Sequence, residues 1–123
     1  MCIFCNKLQE NIDIIYQNES VYVIYDGFPV SEGHMLIITK RHIENYFETN
    51  IQEVKNIDSA IKHMKTRLDE LYHPDGYNIG INNGVAAGQS VMHLHIHLIP
   101  RYENDCLNPK GGVRGVKPGK RFY

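Results

Sequence analysis

His93-Leu-His-Ile-His-Leu98 sets a histidine against an aliphatic residue at every step. Side chains of an extended strand alternate between its two faces. His93, His95 and His97 are therefore expected on one face, and Leu94, Ile96 and Leu98 on the other, where they can pack against a helix. Same-face neighbours along a strand lie roughly 6–7 Å apart, too far for three histidines to close on one small ion. Separate roles for the three are expected. Imidazoles suit metal binding, or acid–base and nucleophilic work near neutral pH.

Working outward, the alternation runs from Val91 to Ile99, before Pro100. Asn83 to Gly88 is a loop of small residues, and Tyr77 to Asn82 alternates as another strand. Ile51, Val54, Ile57, Ile61, Met64, Leu68 and Leu71 recur at steps of three and four, the apolar face of one long amphipathic helix. Asn50 with Glu53 forms a capping-box start, and Pro74-Asp-Gly76 marks the stop. Earlier strands are read at Asp13–Gln17, Val21–Asp26 and Met35–Thr39, the last preceded by the turn residues Ser31, Glu32 and Gly33. Successive strands interrupted by a single long helix indicate an α+β fold with an antiparallel sheet. Residues 102–123 form an irregular tail of Gly, Pro and basic residues, and residues 1–123 read as one domain.

The chain has 123 residues, 42% of them hydrophobic and 22% charged, with a formal net charge of -1. That balance is globular and gives no broad cationic footprint for nucleic acid or an acidic membrane. No apolar run spans a bilayer and no signal-peptide pattern opens the sequence, so a cytoplasmic location is expected. The basic tail around Arg114, Lys117, Lys120 and Arg121 reads as a solvated or dimer-contacting extension; salt-dependent nucleic-acid binding is the weaker reading. Cys2 and Cys5 have zinc-ligand spacing, although a lone Cys-x-x-Cys can also be redox-active or incidental.

Between Asn82 and Ser90, Gly84 and Gly88 permit close backbone approach, and successive N–H groups in such a loop can cradle an anion, with Gln89 and Ser90 as side-chain donors. The segment Gly88-Gln-Ser-Val-Met-His-Leu-His-Ile-His-Leu-Ile-Pro-Arg101 resembles the signature of the histidine-triad (HIT) family of nucleotide hydrolases and transferases. The likeness continues through Asp26–His34, Thr39–Ile43 and Cys2-Ile-Phe-Cys5 and covers nearly the whole chain.

The resemblance implies a five-stranded antiparallel sheet with the long helix packed on it, and a homodimer. It implies that His95 attacks the α-phosphorus of a purine nucleotide to form a nucleotidyl-histidine that water then hydrolyses. His97 would contact the phosphate and the leaving group, supported by His34. Ser90, Gln89, Gly88 and Asn82 would hold the phosphate or the leaving group, and Asp26 the ribose hydroxyls. Asp26 can equally be a turn-initiating residue before Gly27. Phe4, Tyr25 and Phe28 are candidates for a base pocket, although aromatics at such positions are more often core. Zinc-containing branches of the family imply a closed structural site of Cys2, Cys5, His42 and His93, with Cys106 in reserve. Ser90 resembles the Hint-like branch, which favours phosphoramidates; Leu98-Ile-Pro-Arg101 is shared with zinc-containing microbial members and with Fhit-like members, the latter favouring dinucleoside polyphosphates. A nucleotide-binding adaptor without physiological turnover is the non-enzymatic alternative.

Overall fold

A computed structural model describes residues 2–123. Its elements are α1 (Ile3–Glu10), β1 (Tyr16–Gln17), β2 (Val21–Tyr25), β3 (Met35–Thr39), α2 (Ile51–Tyr72), β4 (Gly76–Gly80) and β5 (His95–Arg101). The five strands form one antiparallel sheet in the order β1-β2-β3-β5-β4. The α+β architecture read from the sequence holds.

The helix α2 forms where the periodicity places it. Its capping box is complete: Glu53 N–H donates to Asn50 Oδ1 at 2.8 Å, and Asn50 N–H to Glu53 Oε1 at 2.9 Å. It ends at His73, whose left-handed φ of 52° precedes Pro74. Ile57, Ala60, Met64 and Leu68 are buried, whereas Ile51 and Leu71 at the two ends of the apolar stripe are exposed. The stripe packs on Val21, Val23, Met35, Ile37, Leu94, Ile96 and Leu98. Gly33, at φ +92°, lets the β2–β3 turn lie against this helix; a Cβ there would stand 2.9 Å from Leu68 Cδ2. Truncating a fully buried aliphatic residue here, such as Leu68→Ala, is expected to cost about 2–5 kcal/mol.

The opposite sheet face is also covered, which the sequence reading missed. Helix α1 lays Phe4 on Tyr22, Ile24, Leu36 and Ile38, and Phe4 O accepts a hydrogen bond from the buried Tyr22 hydroxyl. Burial on both faces explains the unbroken apolar runs of β2 and β3: a strand covered on one side alternates, and one covered on both does not. Only β5 keeps a clean alternation, because its non-helix face carries His95 and His97, paired across to Ile38 and Leu36.

Three strand boundaries differ from expectation. β1 is limited to Tyr16–Gln17; Asp13, at φ 62°, turns the chain away before it. β4 spans Gly76–Gly80 and stops short of Asn82. β5 begins at His95, since the tight turn that joins His93 N–H to Val91 O at 2.9 Å precludes regular pairing there. Leu94 is still anchored, donating its N–H to Ile43 O at 2.7 Å. The tail is not shapeless: it contains 3-10 turns at Gly112–Val116 and Pro118–Lys120. No helix among the described residues is long and apolar enough to cross a membrane.

Candidate active site and metal centre

β5 carries His95 and His97 into a cleft of ≈ 540 Å³. The end of β2 brings Asp26 to the same cleft, and the loop after β4 brings Asn82. Ser90 lines it too, and Phe4, Tyr25 and Phe28 form an apolar end. Ile3 and Lys7 of α1 add to the wall; they were invisible to the sequence reading because α1 itself was not recognised.

The hydrogen bonds fix which nitrogen of each histidine carries the proton. His95 Nδ1 lies 2.8 Å from His93 O. A carbonyl only accepts, so Nδ1–H donates, and the Nε2 of a neutral His95 ring keeps its lone pair. On His34 the roles run the other way. Val30 N–H donates to His34 Nδ1 at 3.0 Å, so the proton of His34 sits on Nε2. That nitrogen is 2.9 Å from His97 Nδ1. His97 Nδ1 must therefore accept, which leaves its own proton on Nε2. The strand thus presents a nucleophilic lone pair on His95 beside an N–H donor on His97, their rings 5.3 Å apart.

Burial keeps His97 below the ordinary histidine range, helped by the neighbouring His95 and His34. His34 is lowered by burial too, against the opposing pull of Asp26. Asp26 lines the cleft and also initiates the turn before Gly27. Oδ1 accepts from Phe28 N–H at 2.8 Å, as a turn-initiating aspartate does, and Oδ2 stands 3.4 Å from His34 Nε2. Asp26, His34 and His97 are close enough to suggest a metal cluster, but their facing nitrogens already satisfy one another in the Val30–His34–His97 relay.

Two expected phosphate ligands are used elsewhere. Gln89 is buried and its amide turns inward: Oε1 accepts from Gly84 N–H at 2.8 Å, and Nε2 donates to Glu44 O at 2.7 Å and Val91 O at 3.1 Å. Gly88, at φ +97°, closes the turn over Val85–Ala87. The N–H groups of Ala87, Gly88 and Gln89 all bond within this loop, so none is free to cradle an anion. Gln89 and Gly88 shape the loop that delivers Ser90; they do not line the cleft.

His93, fully buried, belongs to a different cluster. Its Nε2–H donates to Thr39 O at 2.7 Å, leaving the Nδ1 lone pair free. Around that nitrogen stand Cys2 Sγ at 3.4 Å, Cys5 Sγ at 3.6 Å and His42 Nδ1 at 3.2 Å, with Cys5 Sγ 3.1 Å from His42 Nδ1. The N–N and N–S edges of a tetrahedron at ordinary zinc bond lengths are roughly 3.3–3.6 Å. The donor set, the spacing and a backbone carbonyl behind the ligating ring fit a structural zinc site. Cys106, the reserve ligand, lies instead 3.3 Å from Arg101 Nη2 in the tail. The carbonyls of Thr39 and His93 and the Val30 N–H, which set all three tautomers, are backbone groups that no residue identity announces.

A HIT domain model matches residues 7–104. A Zn-bound histidine triad family protein from Mycobacterium smegmatis superposes with a TM-score of 0.78 at 34% identity, over 87% of this chain and 79% of that one. A histidine triad nucleotide-binding protein from Candida albicans gives 0.75 at 32% identity, over 85% and 78%. The adenylylsulfatase HINT3 of Arabidopsis thaliana is 36% identical over 86% of this chain and 55% of that protein.

Proposed function

The chain belongs to the HIT domain family, and from that premise we propose that it is a nucleotide hydrolase that cleaves the α-phosphorus bond of purine nucleoside phosphoramidates or related nucleotidyl conjugates. The observation that carries this reading is the pair of opposite tautomers on β5: a lone pair on His95 Nε2 next to a proton on His97 Nε2.

In this reading the nucleoside lies in the cleft, its base toward Phe4, Tyr25 and Phe28 and its ribose toward Asp26. Asn82 and Ser90 hold the phosphate. His95 Nε2 attacks the α-phosphorus as the bond to the leaving group breaks. The imidazolium that forms keeps its Nδ1–H on the His93 carbonyl, which stabilises the positive charge. His97 Nε2–H hydrogen-bonds the phosphoryl group and the departing atom. Held neutral by burial and by the His34 donor, His97 acts as an electrophilic donor. Water then displaces the imidazole. Overall, the hydroxyl of that water ends on phosphorus and its hydrogen on the leaving group. A metal at Cys2, Cys5, His42 and His93 supplies structure alone in this reading, as a closed site with no position for a reacting water. The reading includes a homodimer, supported by β4 being an edge strand with Ile79 half exposed.

The test is hydrolysis of adenosine and guanosine phosphoramidates beside diadenosine polyphosphates and adenylyl sulfate, with His95→Ala as control. Phosphoramidate cleavage lost in the variant is expected. A second reading, cleavage of acid-anhydride conjugates by the same residues, is favoured by the adenylylsulfatase relative. It replaces the first if the polyphosphates or the sulfate are the preferred substrates.

A further inference from the structure

The aromatic end of the cleft carries an ion pair. Lys7 Nζ lies 3.3 Å from Asp13 Oδ2, and both residues line the cleft wall. The end of α1 builds the turn that joins them. Asn11 N–H donates to Leu8 O at 3.3 Å, and Ile12 N–H to Lys7 O at 2.9 Å. Asp13, at φ 62°, then turns the chain back beside Lys7. Aspartate and asparagine tolerate that left-handed backbone better than most residues with a side chain.

The sheet order sets how far the pair stands from the histidines. Asp13 shares a smaller hollow with Tyr25, Asp26 and Gly27, at the end of β2. β2 is two strands from β5 in the order β2-β3-β5, a distance of about 10 Å. A base seated between Phe4 and Phe28 therefore turns its outer edge toward Lys7 and Asp13. As a surface ion pair the two do little for the fold: their side chains are 24% and 70% exposed. Neither side chain has another hydrogen-bond partner among the described residues. The ammonium has two further protons to donate, and one carboxylate oxygen has accepted nothing.

We propose that Lys7 and Asp13 read the outer edge of the base and make the cleft prefer guanine to adenine. The proposal rests on the nucleotide reading above and deepens it. Guanine presents O6, N1–H and the N2 amine side by side, an acceptor followed by two donors. An ammonium next to a carboxylate is the matching set. Lys7 donates to O6, and Asp13 accepts from N1–H and N2–H, one on each oxygen. Hydrogen bonds to ionised groups are stronger than neutral ones, and a two-point contact adds geometric selection. Adenine offers one donor, N6–H, and one acceptor, N1, on the same edge. It leaves a carboxylate oxygen without a proton to accept, and an acceptor shielded from water in that state is costly.

The experiment is calorimetric binding of GMP, IMP and AMP to the full chain. The wild type is expected to bind GMP about tenfold more tightly than AMP, the low end for a two-point base contact, as suits an open cleft. IMP keeps O6 and N1–H but lacks the N2 amine, so it should fall between them. Lys7→Met keeps the apolar stem and removes the donor to O6. It should weaken GMP and IMP and leave AMP no weaker. Asp13→Asn keeps a residue that accepts the left-handed turn but exchanges one acceptor for a donor. A carboxamide pairs with the donor and acceptor of adenine, so this variant should bind AMP at least as tightly as GMP. Loss of affinity by the same factor for all three nucleotides in both variants would mean that the pair only supports the wall, and would overturn the proposal. Equal wild-type affinities for GMP and AMP would overturn it too, with the nucleotide reading intact. Absence of binding by all three would strike the nucleotide reading, and the base reader with it.

Discussion

His93 and His97 stand four residues apart in one alternating run, and the fold prepares them in opposite ways. At His93 a backbone carbonyl, Thr39 O, takes the Nε2 proton and leaves a lone pair aimed at two thiols and another imidazole. At His97 a donor, the Nε2–H of His34, occupies the Nδ1 lone pair and leaves a proton aimed into the cleft. The same side chain becomes an electron-pair donor at one end and a hydrogen-bond donor at the other. What separates them is whether the group behind the ring accepts or donates. His95, between them, follows His93 in resting on a carbonyl but faces the cleft that His97 faces.

The largest expected effect breaks the comparison at its centre. His95→Ala removes the only lone pair on this strand that faces the cleft and is expected to lower turnover by about 10⁴-fold or more. His97→Ala removes a donor to the phosphoryl and leaving-group atoms and should cost on the order of 10²–10³-fold. Single-turnover rates on a phosphoramidate would check both. Equal losses would mean that the two rings act as one unit; a larger loss at His97 would reverse the assignment.

The metal end is next. Protein purified without chelator is expected to carry about one zinc per chain, as a closed tetrahedral site requires. Cys5→Ser should release it and lower Tm by on the order of 10 °C, since metal binding to such a site contributes directly to folding. Helix α1 depends on this end, because Cys2 and Cys5 flank Phe4, whose ring packs edge-on to both His93 and His95 at 5.9 and 5.1 Å. Loss of metal should therefore also weaken AMP binding, measured by calorimetry below the melting range. Unchanged Tm and metal-free, well-folded wild type would remove the zinc assignment.

How legible each end was in the sequence follows the same division. Side-chain identities announced themselves in part: the alternation of His93 to Leu98 placed the aliphatic face on α2, the Cys2–Cys5 spacing offered a metal pair, and only the resemblance to zinc-containing HIT members supplied His42 and His93 as its partners. The Asn50–Glu53 cap and the apolar stripe placed α2 to within a residue at either end. What stayed hidden was work done by backbone and by long-range packing. The eight residues of α1 offer only a short apolar face, Phe4 and Leu8, and no side-chain cap, too little local pattern to mark a helix that docking on the sheet stabilises. Gln89 looked like a phosphate ligand because an amide so near a histidine strand suits that role. That its three bonds would point to Gly84, Glu44 and Val91 depends on a loop closure that no local pattern encodes. The tail looked shapeless because its order comes from arginines meeting carbonyls six to thirteen residues away.

A smaller effect sharpens the catalytic end. His34→Ala leaves His95 and the metal cluster in place but removes the donor that holds His97 as an Nε2–H donor. A loss of about ten- to a hundredfold in kcat is expected, the usual range for a group that orients a working ligand. A positioning role also predicts a change that simple loosening would not give: His97 loses a neighbour that disfavours its charged form, so its titration should move upward from its depressed value. Nitrogen-15 spectra of the imidazole rings across pH would show it. An unmoved His97 titration would mean that His34 acts only by filling space.

The smallest effect concerns acid. Burial lowers the proton affinity of His34 and His97 in the folded chain, while an unfolded histidine titrates near pH 6.5. Between the depressed folded values and about 6.5 the unfolded chain therefore binds more protons, and stability rises with pH across that window. The contribution of both rings is complete above about pH 6.5 and is lost as the pH falls through the folded values. Thermal melts at pH 7.5 and 5.5 should show a lower Tm at the acid value. Because the metal end also weakens when its ligands are protonated, the comparison is made between wild type and His34→Gln, both with excess zinc. His34→Gln retains the metal site and removes one buried imidazole, so its acid loss should be the smaller of the two. If the two proteins lose equal stability on acidification, the pH dependence belongs to the thiolate–imidazole cluster around His93, and the relay at His97 carries none of it.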